Sequence, residues 1–138
     1  KLKMTANELM DSFSFHDSSR AMIARSAGTA VLSIDLCLWA QESYRDEMPD
    51  IAPLRVTLSG VRELSLTIDN KTEELPERTV FADLPGVFDA EILEAKPLSD
   101  RKLLLCLFLT KKDEQVYAEI RVTADDFNPE VVLCSAPR

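Results

Sequence analysis

Phe15-His16-Asp17-Ser18-Ser19 contains the only histidine of the chain, followed directly by a carboxylate and two hydroxyls. These residue types could support a metal site or nucleophilic catalysis, and each chemistry makes demands on the rest of the sequence. A histidine-based metal site draws on further histidines or on cysteines at short ligand spacing. The three cysteines, Cys37, Cys106 and Cys134, lie far apart. Nucleophilic catalysis needs a serine or cysteine within hydrogen-bond reach of a histidine that a third group orients. Ser18 and Ser19 are neighbours in sequence only, and no G-x-S-x-G elbow is present. Three glycines, Gly28, Gly60 and Gly86, cannot build a phosphate-cradling loop.

The residues therefore predict no catalytic set, no metal ligands and no cofactor. They favour a structural reading of His16-Asp17. Asp17 is expected to accept a hydrogen bond from the N–H of Ser19 or Arg20 in an Asx-type turn that opens a strand. The imidazole is expected to bond across to a neighbouring strand, with its ring on Phe13 or Phe15. The expected binding residues are His16, Asp17, Trp39 and Tyr44. The two aromatics flank the entry to a polar loop, and aromatics are enriched at interface hot spots. Packing against the second sheet or the N-terminal helix is the plainer expectation for Trp39. The acid pairs Asp125-Asp126 and Glu73-Glu74 lack the D-x-D-x-D-G spacing of a calcium loop.

The elements that must position these residues are mainly β. TANELMDS (5–12) is expected to be a short helix, with Thr5 as N-cap and Glu8 completing a capping box. RAMIARSA (20–27) and TAVLSIDLCLWA (29–40) read as a hairpin. In the second strand Leu32, Ile34, Leu36 and Leu38 alternate with polar positions, the sign of a half-buried strand. QESYRDEMPDIAP (41–53) is a surface loop. LRVTLSGVRELSLTID (54–69) keeps its apolar residues on even numbers, with a bulge or bend at Gly60. NKTEELPER (70–78) reads as a loop, TVFADLPG (79–86) as an irregular link, VFDAEILEA (87–95) as a strand and PLSDR (97–101) as a turn. KLLLCLFLT (102–110) is apolar on both faces, as a covered central strand is. VYAEIRVTA (116–124) follows a hairpin loop at 111–115, and 125–132 is a helical turn or short edge. The expected fold is an antiparallel sandwich or partly open barrel of about seven or eight strands with a short N-terminal helix. It occupies one domain, 4–132, between a remnant at 1–3 and a tail at 133–138.

The two halves echo one another. Asp17 matches Asp89 with Phe88 at the place of His16, Cys37 matches Cys106, and Arg55-Val56-Thr57 matches Arg121-Val122-Thr123. This predicts a duplicated three-stranded meander with Val56 and Val122 in a shared core. Cys37 and Cys106 would occupy matching places and face each other if the copies stack.

The net charge is -8 over 138 residues. Such a surface repels phosphate backbones and anionic headgroups, arguing against nucleic acid or a membrane surface as partner. It complements a basic protein. No apolar run reaches the length of a bilayer span, and no basic n-region followed by an apolar h-region opens the chain. With unpaired cysteines this points to the cytoplasm.

Phe15-His16-Asp17-Ser18, followed by a strand, a turn, a Leu-x-Ile-x-Leu strand and the later Leu58-Ser59-Gly60-Val61, resembles the N-terminal signature of small uncharacterised bacterial domains. Some of these are assigned as immunity proteins of toxin systems. Arg20 departs from their pattern, which puts an aliphatic residue there. The resemblance implies a non-catalytic fold that binds a partner protein. The alternatives are an enzyme of unassigned chemistry using His16 and nearby carboxylates, or small-ligand binding within the β-fold.

Overall fold

The expected alternation of apolar and polar residues becomes two antiparallel sheets in the computed structural model, which describes residues 3–42, 44–75, 87–111 and 114–132. One helix, α1 (Ala6–Ser12), precedes the strands β1 (Ser19–Ser26), β2 (Thr29–Cys37), β3 (Ile51–Ser59), β4 (Glu63–Ile68), β5 (Lys71–Glu74), β6 (Val87–Ser99), β7 (Lys102–Lys111), β8 (Glu114–Thr123) and β9 (Asp126–Val131). A single 3-10 turn, Leu38–Ala40, follows β2. The four-stranded sheet has the order β1-β2-β3-β9 and the five-stranded sheet the order β5-β4-β8-β7-β6. The mainly β sandwich with one short helix is as expected, but it has nine strands among the described residues.

The extra strands have local causes. Residues 54–69 do keep one apolar phase: Leu54, Val56, Leu58, Leu64 and Leu66 are all buried. Gly60, however, adopts φ +64 and passes the chain from one sheet to the other. Asp69 and Asn70, at φ 52 and 63, then form a two-residue turn between the paired Ile68 and Lys71. Positive φ at both central residues marks a type I′ hairpin. The expected loop at 70–78 is thus strand β5 as far as Glu74. β5 has no buried residue, so no alternation could reveal it. β6 continues through Pro97 to Ser99, and the turn to β7 is only Asp100-Arg101. Of the hairpin loop expected at 111–115, Lys111, Glu114 and Gln115 belong to β7 and β8. Residues 112–113, the link 79–86 and the tail 133–138 lie outside the described residues.

β1 begins beside β6, where the Ile92 N–H donates to Ser18 O (2.8 Å). It ends at β5, where the Arg25 guanidinium donates to Glu74 Oε1 (3.1 Å) and Leu75 O (2.7 Å). β5 and β6 are opposite edges of their sheet, so the strands of the two sheets cross, as in orthogonal packing. Core residues point into the crossing from both sides; Leu105 is 1% exposed and Leu107 0%. Each half contributes a meander, β1-β2-β3 and β6-β7-β8, with Val56 and Val122 both buried. The cysteines do not match. Cys37 pairs with Ile51, four residues before Arg55, whereas Cys106 pairs with Glu119, two before Arg121. Both are buried yet follow the phase of their strands that points away from the shared core, so they do not face each other.

The N-terminal segment plugs the open side. Met4 exchanges hydrogen bonds with Phe127 of β9 (3.1 and 2.9 Å), and the Ala6 N–H donates to Asp100 O (2.7 Å). The predicted capping box is present: Thr5 Oγ1 accepts from Glu8 N–H (3.1 Å) and Glu8 Oε1 from Thr5 N–H (3.0 Å). α1 thereby sits against both β6 and β9, with Ala6 and Leu9 buried.

Candidate functional site

The strap that follows α1, residues 13–18, separates two recesses. His16 lines the smaller, of about 220 Å³, with Met10, Phe13, Phe15 and Leu93. Its Nδ1 lies 3.0 Å from Leu93 O. A carbonyl only accepts, so Nδ1 carries the proton. Leu93 stands at an irregularity of β6 between Ile92 and Glu94, where a bulge leaves a strand carbonyl without its ladder partner. His16 satisfies that carbonyl, which is the expected cross-strand bond. Its Nε2 is 3.5 Å from Asp17 Oδ1, with the imidazole 66% exposed.

Asp17 does not form the expected Asx turn. The Ser18 N–H closes the turn onto Phe15 O (3.0 Å), and Asp17 occupies φ 62. Aspartate tolerates this left-handed region better than most residues. Ser18 is fully buried, and its Oγ accepts from Cys37 N–H (3.2 Å). It is occupied as a structural acceptor between the strap and β2. Among the described residues no three His, Cys, Asp or Glu side chains gather as a metal site would require.

The larger recess, about 450 Å³, lies on the other side of the strap. Met10, Phe13, Leu36, Leu38, Met48 and Val131 supply its apolar lining. Gln41 fixes its walls: Nε2 donates to Ser14 O (2.7 Å) and Cys37 O (2.8 Å), while Oε1 accepts from Ser14 N–H (2.9 Å). Asp11 and Glu42 stand in the lining, and the adjoining loop adds Asp46, Glu47 and Asp50 against Arg45. None of these five acids forms an ion pair among the described residues. Glu63, Glu74, Glu94, Glu119 and Asp125 are each paired with a base, whereas Asp69, Glu73, Asp126 and Glu130 elsewhere also form no ion pair among the described residues.

Trp39 stands between the lining residues Leu38 and Ala40 and is 54% exposed, so the expected packing against a second element is not what is found. Tyr44 packs partly against the core, with its hydroxyl 3.5 Å from Asp50 Oδ1. Its phenol is held above the ordinary 10.0, first by burial, then by the negative charges of Asp50 and Asp46. The loop thus carries a negative field that its own sequence does not neutralise.

Trp39 and Tyr44 are not in the lining of the larger recess, although Trp39 is flanked in sequence by its lining residues Leu38 and Ala40. His16 lines the smaller recess and Asp17 does not, and Met10, Phe13 and Ser14 line both. Gln41, Met48 and Val131 carry no motif that marks them in the sequence. The polar composition of 41–50 was the one local signal. No protein-family model, curated protein or solved structure matches the chain. No helix among the described residues is long and apolar enough to cross a membrane.

Proposed function

We propose that this protein is a non-catalytic binding domain of immunity-protein-like type that receives a basic protein partner at the recess beside Trp39. The observation that carries this reading is an exposed tryptophan next to an apolar groove whose two lining acids, like the three of the adjoining loop, form no ion pair. Apolar contact supplies affinity at the centre of an interface. Unpaired acids at its rim steer an oppositely charged partner and exclude anionic ones. His16 and Ser18 are engaged by main-chain groups, which supports a structural use over a catalytic one.

The test is a calorimetric titration with the purified product of the gene immediately upstream. Binding is expected to weaken as salt rises, because exposed charges are screened. Trp39→Ala is expected to weaken it about tenfold or more, the scale of a hot-spot truncation. Equal binding by the variant and the parent, or no binding at all, refutes this assignment.

A further inference from the structure

Resting on that reading, we infer that the partner enters the recess as an extended, lysine- or arginine-bearing segment that adds a strand to the free edge of β9. The ladder between β3 and β9 decides which main-chain groups are free. The Val132 N–H donates to Pro53 O (2.8 Å), and Leu54 lies opposite Val131. In an antiparallel pair hydrogen-bonded and non-bonded positions alternate. Val131 therefore turns its N–H and C=O away from β3, as do Pro129 and Phe127. Phe127 confirms the phase, because its outward N–H and C=O are the groups that Met4 engages.

Beyond Met4 no described residue bonds to the outer edge of β9. No partner for the Val131 N–H or C=O occurs among the described residues. Pro129 has no N–H to offer, a device that discourages indiscriminate edge pairing, yet its outward carbonyl still accepts. The other sheet's edges are guarded differently. β6 is met at its middle, where Ser18 and His16 engage Ile92 and Leu93, and Ala6 bonds to Asp100 in the turn that follows it, while β5 is a short, charged Lys-Thr-Glu-Glu strand.

Val131 is also a lining residue of the recess, opposite Met10 and Phe13. An added strand gains main-chain bonds from Val131 and Pro129 and sends alternate side chains toward the methionines, which adapt to irregular apolar shapes. The residues between them meet Asp11 and Glu42, so charge complementarity selects basic ones.

The probe is a blocked peptide of alternating lysine and valine, read through the emission of Trp39, the chain's one tryptophan. The added strand runs antiparallel to β9, as Met4 does beside Phe127, so the residues that share Val131's face are also those that exchange bonds with it. Valine N-methylation should therefore weaken binding tenfold or more, while lysine N-methylation changes it less than twofold. The Val131 amide should exchange hydrogen at least tenfold more slowly in the bound state. Equal binding of both methylated peptides, with Val131 exchange unchanged, overturns strand addition and leaves the groove reading standing. Equal binding of a glutamate–valine peptide overturns the basic selectivity. No saturable Trp39 response to any of these peptides overturns the inference and the groove reading together.

Discussion

Gly60→Ala is expected to destabilise the protein by about 2–5 kcal/mol, because two independent costs meet at one residue. The chain crosses between sheets twice at this corner. Arg62 N–H donates to Thr123 O (2.8 Å) and Asp125 N–H to Ser59 O (2.9 Å). Gly60 sits at φ +64, where an alanine costs roughly 1–2 kcal/mol. A Cβ there also collides with the Asp125 carboxylate oxygen, and lies 2.7 Å from its Cγ and 3.0 Å from its Cβ. The Asp125 Cβ cannot swing away, since its own backbone is tied to Ser59. Overpacking of this kind costs about 1–3 kcal/mol. The Arg62–Asp125 contact (3.3 Å) is exposed, so its loss adds little.

Gly28→Ala is the control. It has no atom within 4 Å of a new Cβ and no positive φ. Both substitutions restrict the unfolded chain alike, which is worth about 0.4–1 kcal/mol of stabilisation. Their difference therefore isolates the native-state strain. In urea, with m of about 1–3 kcal/mol/M, the Gly60→Ala midpoint should fall by about 1–2 M while that of Gly28→Ala holds or rises. Adding Asp125→Ala to Gly60→Ala should recover the part of the collision due to the carboxylate and leave the φ part and the close Cβ approach. Equal midpoints for the two glycine variants refute the reasoning.

Leu107→Ala, at a fully buried position on β7, should cost on the order of 2–5 kcal/mol; a parent-like melting curve contradicts the crossed-sheet core. His16→Phe leaves Leu93 O to solvent and should shift stability by less than about 1.5 kcal/mol, whereas loss of a bound metal on this change would overturn the structural role. Both tyrosines should titrate above the ordinary 10.0 in the ultraviolet: Tyr44 for the reasons given, and Tyr117 first through a hydrogen bond with Cys106, then burial and the bond to Glu119. A phenol whose folded pKa is raised contributes stability below its unfolded pKa and loses it as pH rises toward the folded one. The urea midpoint should therefore decline above about pH 10; ordinary phenol titration with a flat midpoint contradicts it.

Much of the β character was legible because it is a local property. The alternation in β2 and along 54–68 follows from the two-residue period of a strand. The even-numbered Leu32, Ile34, Leu36, Leu54, Val56, Leu58, Leu64 and Leu66 are buried, while Ile68 is only partly so and Cys37, Val61 and Ser65 are buried off the pattern. The Thr5–Glu8 capping box depends on residues three apart and formed as read. Leu105 and Leu107 were legible as core because a strand apolar on both phases leaves no solvent side. Trp39 and Tyr44 could be singled out from their place beside a polar loop.

Tertiary structure alone decided the rest. Gly60 looks like an interruption within one strand, and only the approach of Asp125, far along the chain, turns it into a change of sheet. The short strand β5 has no burial pattern because it is an exposed edge held by pairing with β4. His16 meets a carbonyl 77 residues away, at a β6 bulge that no local rule marks. The recess gathers the end of α1, the strap, the end of β2, the loop and β9. Alternation determines which face of a strand is apolar, but it carries no information about which strand end another segment leaves uncovered. That depends on the crossing of the two sheets and on where the N-terminal plug stops.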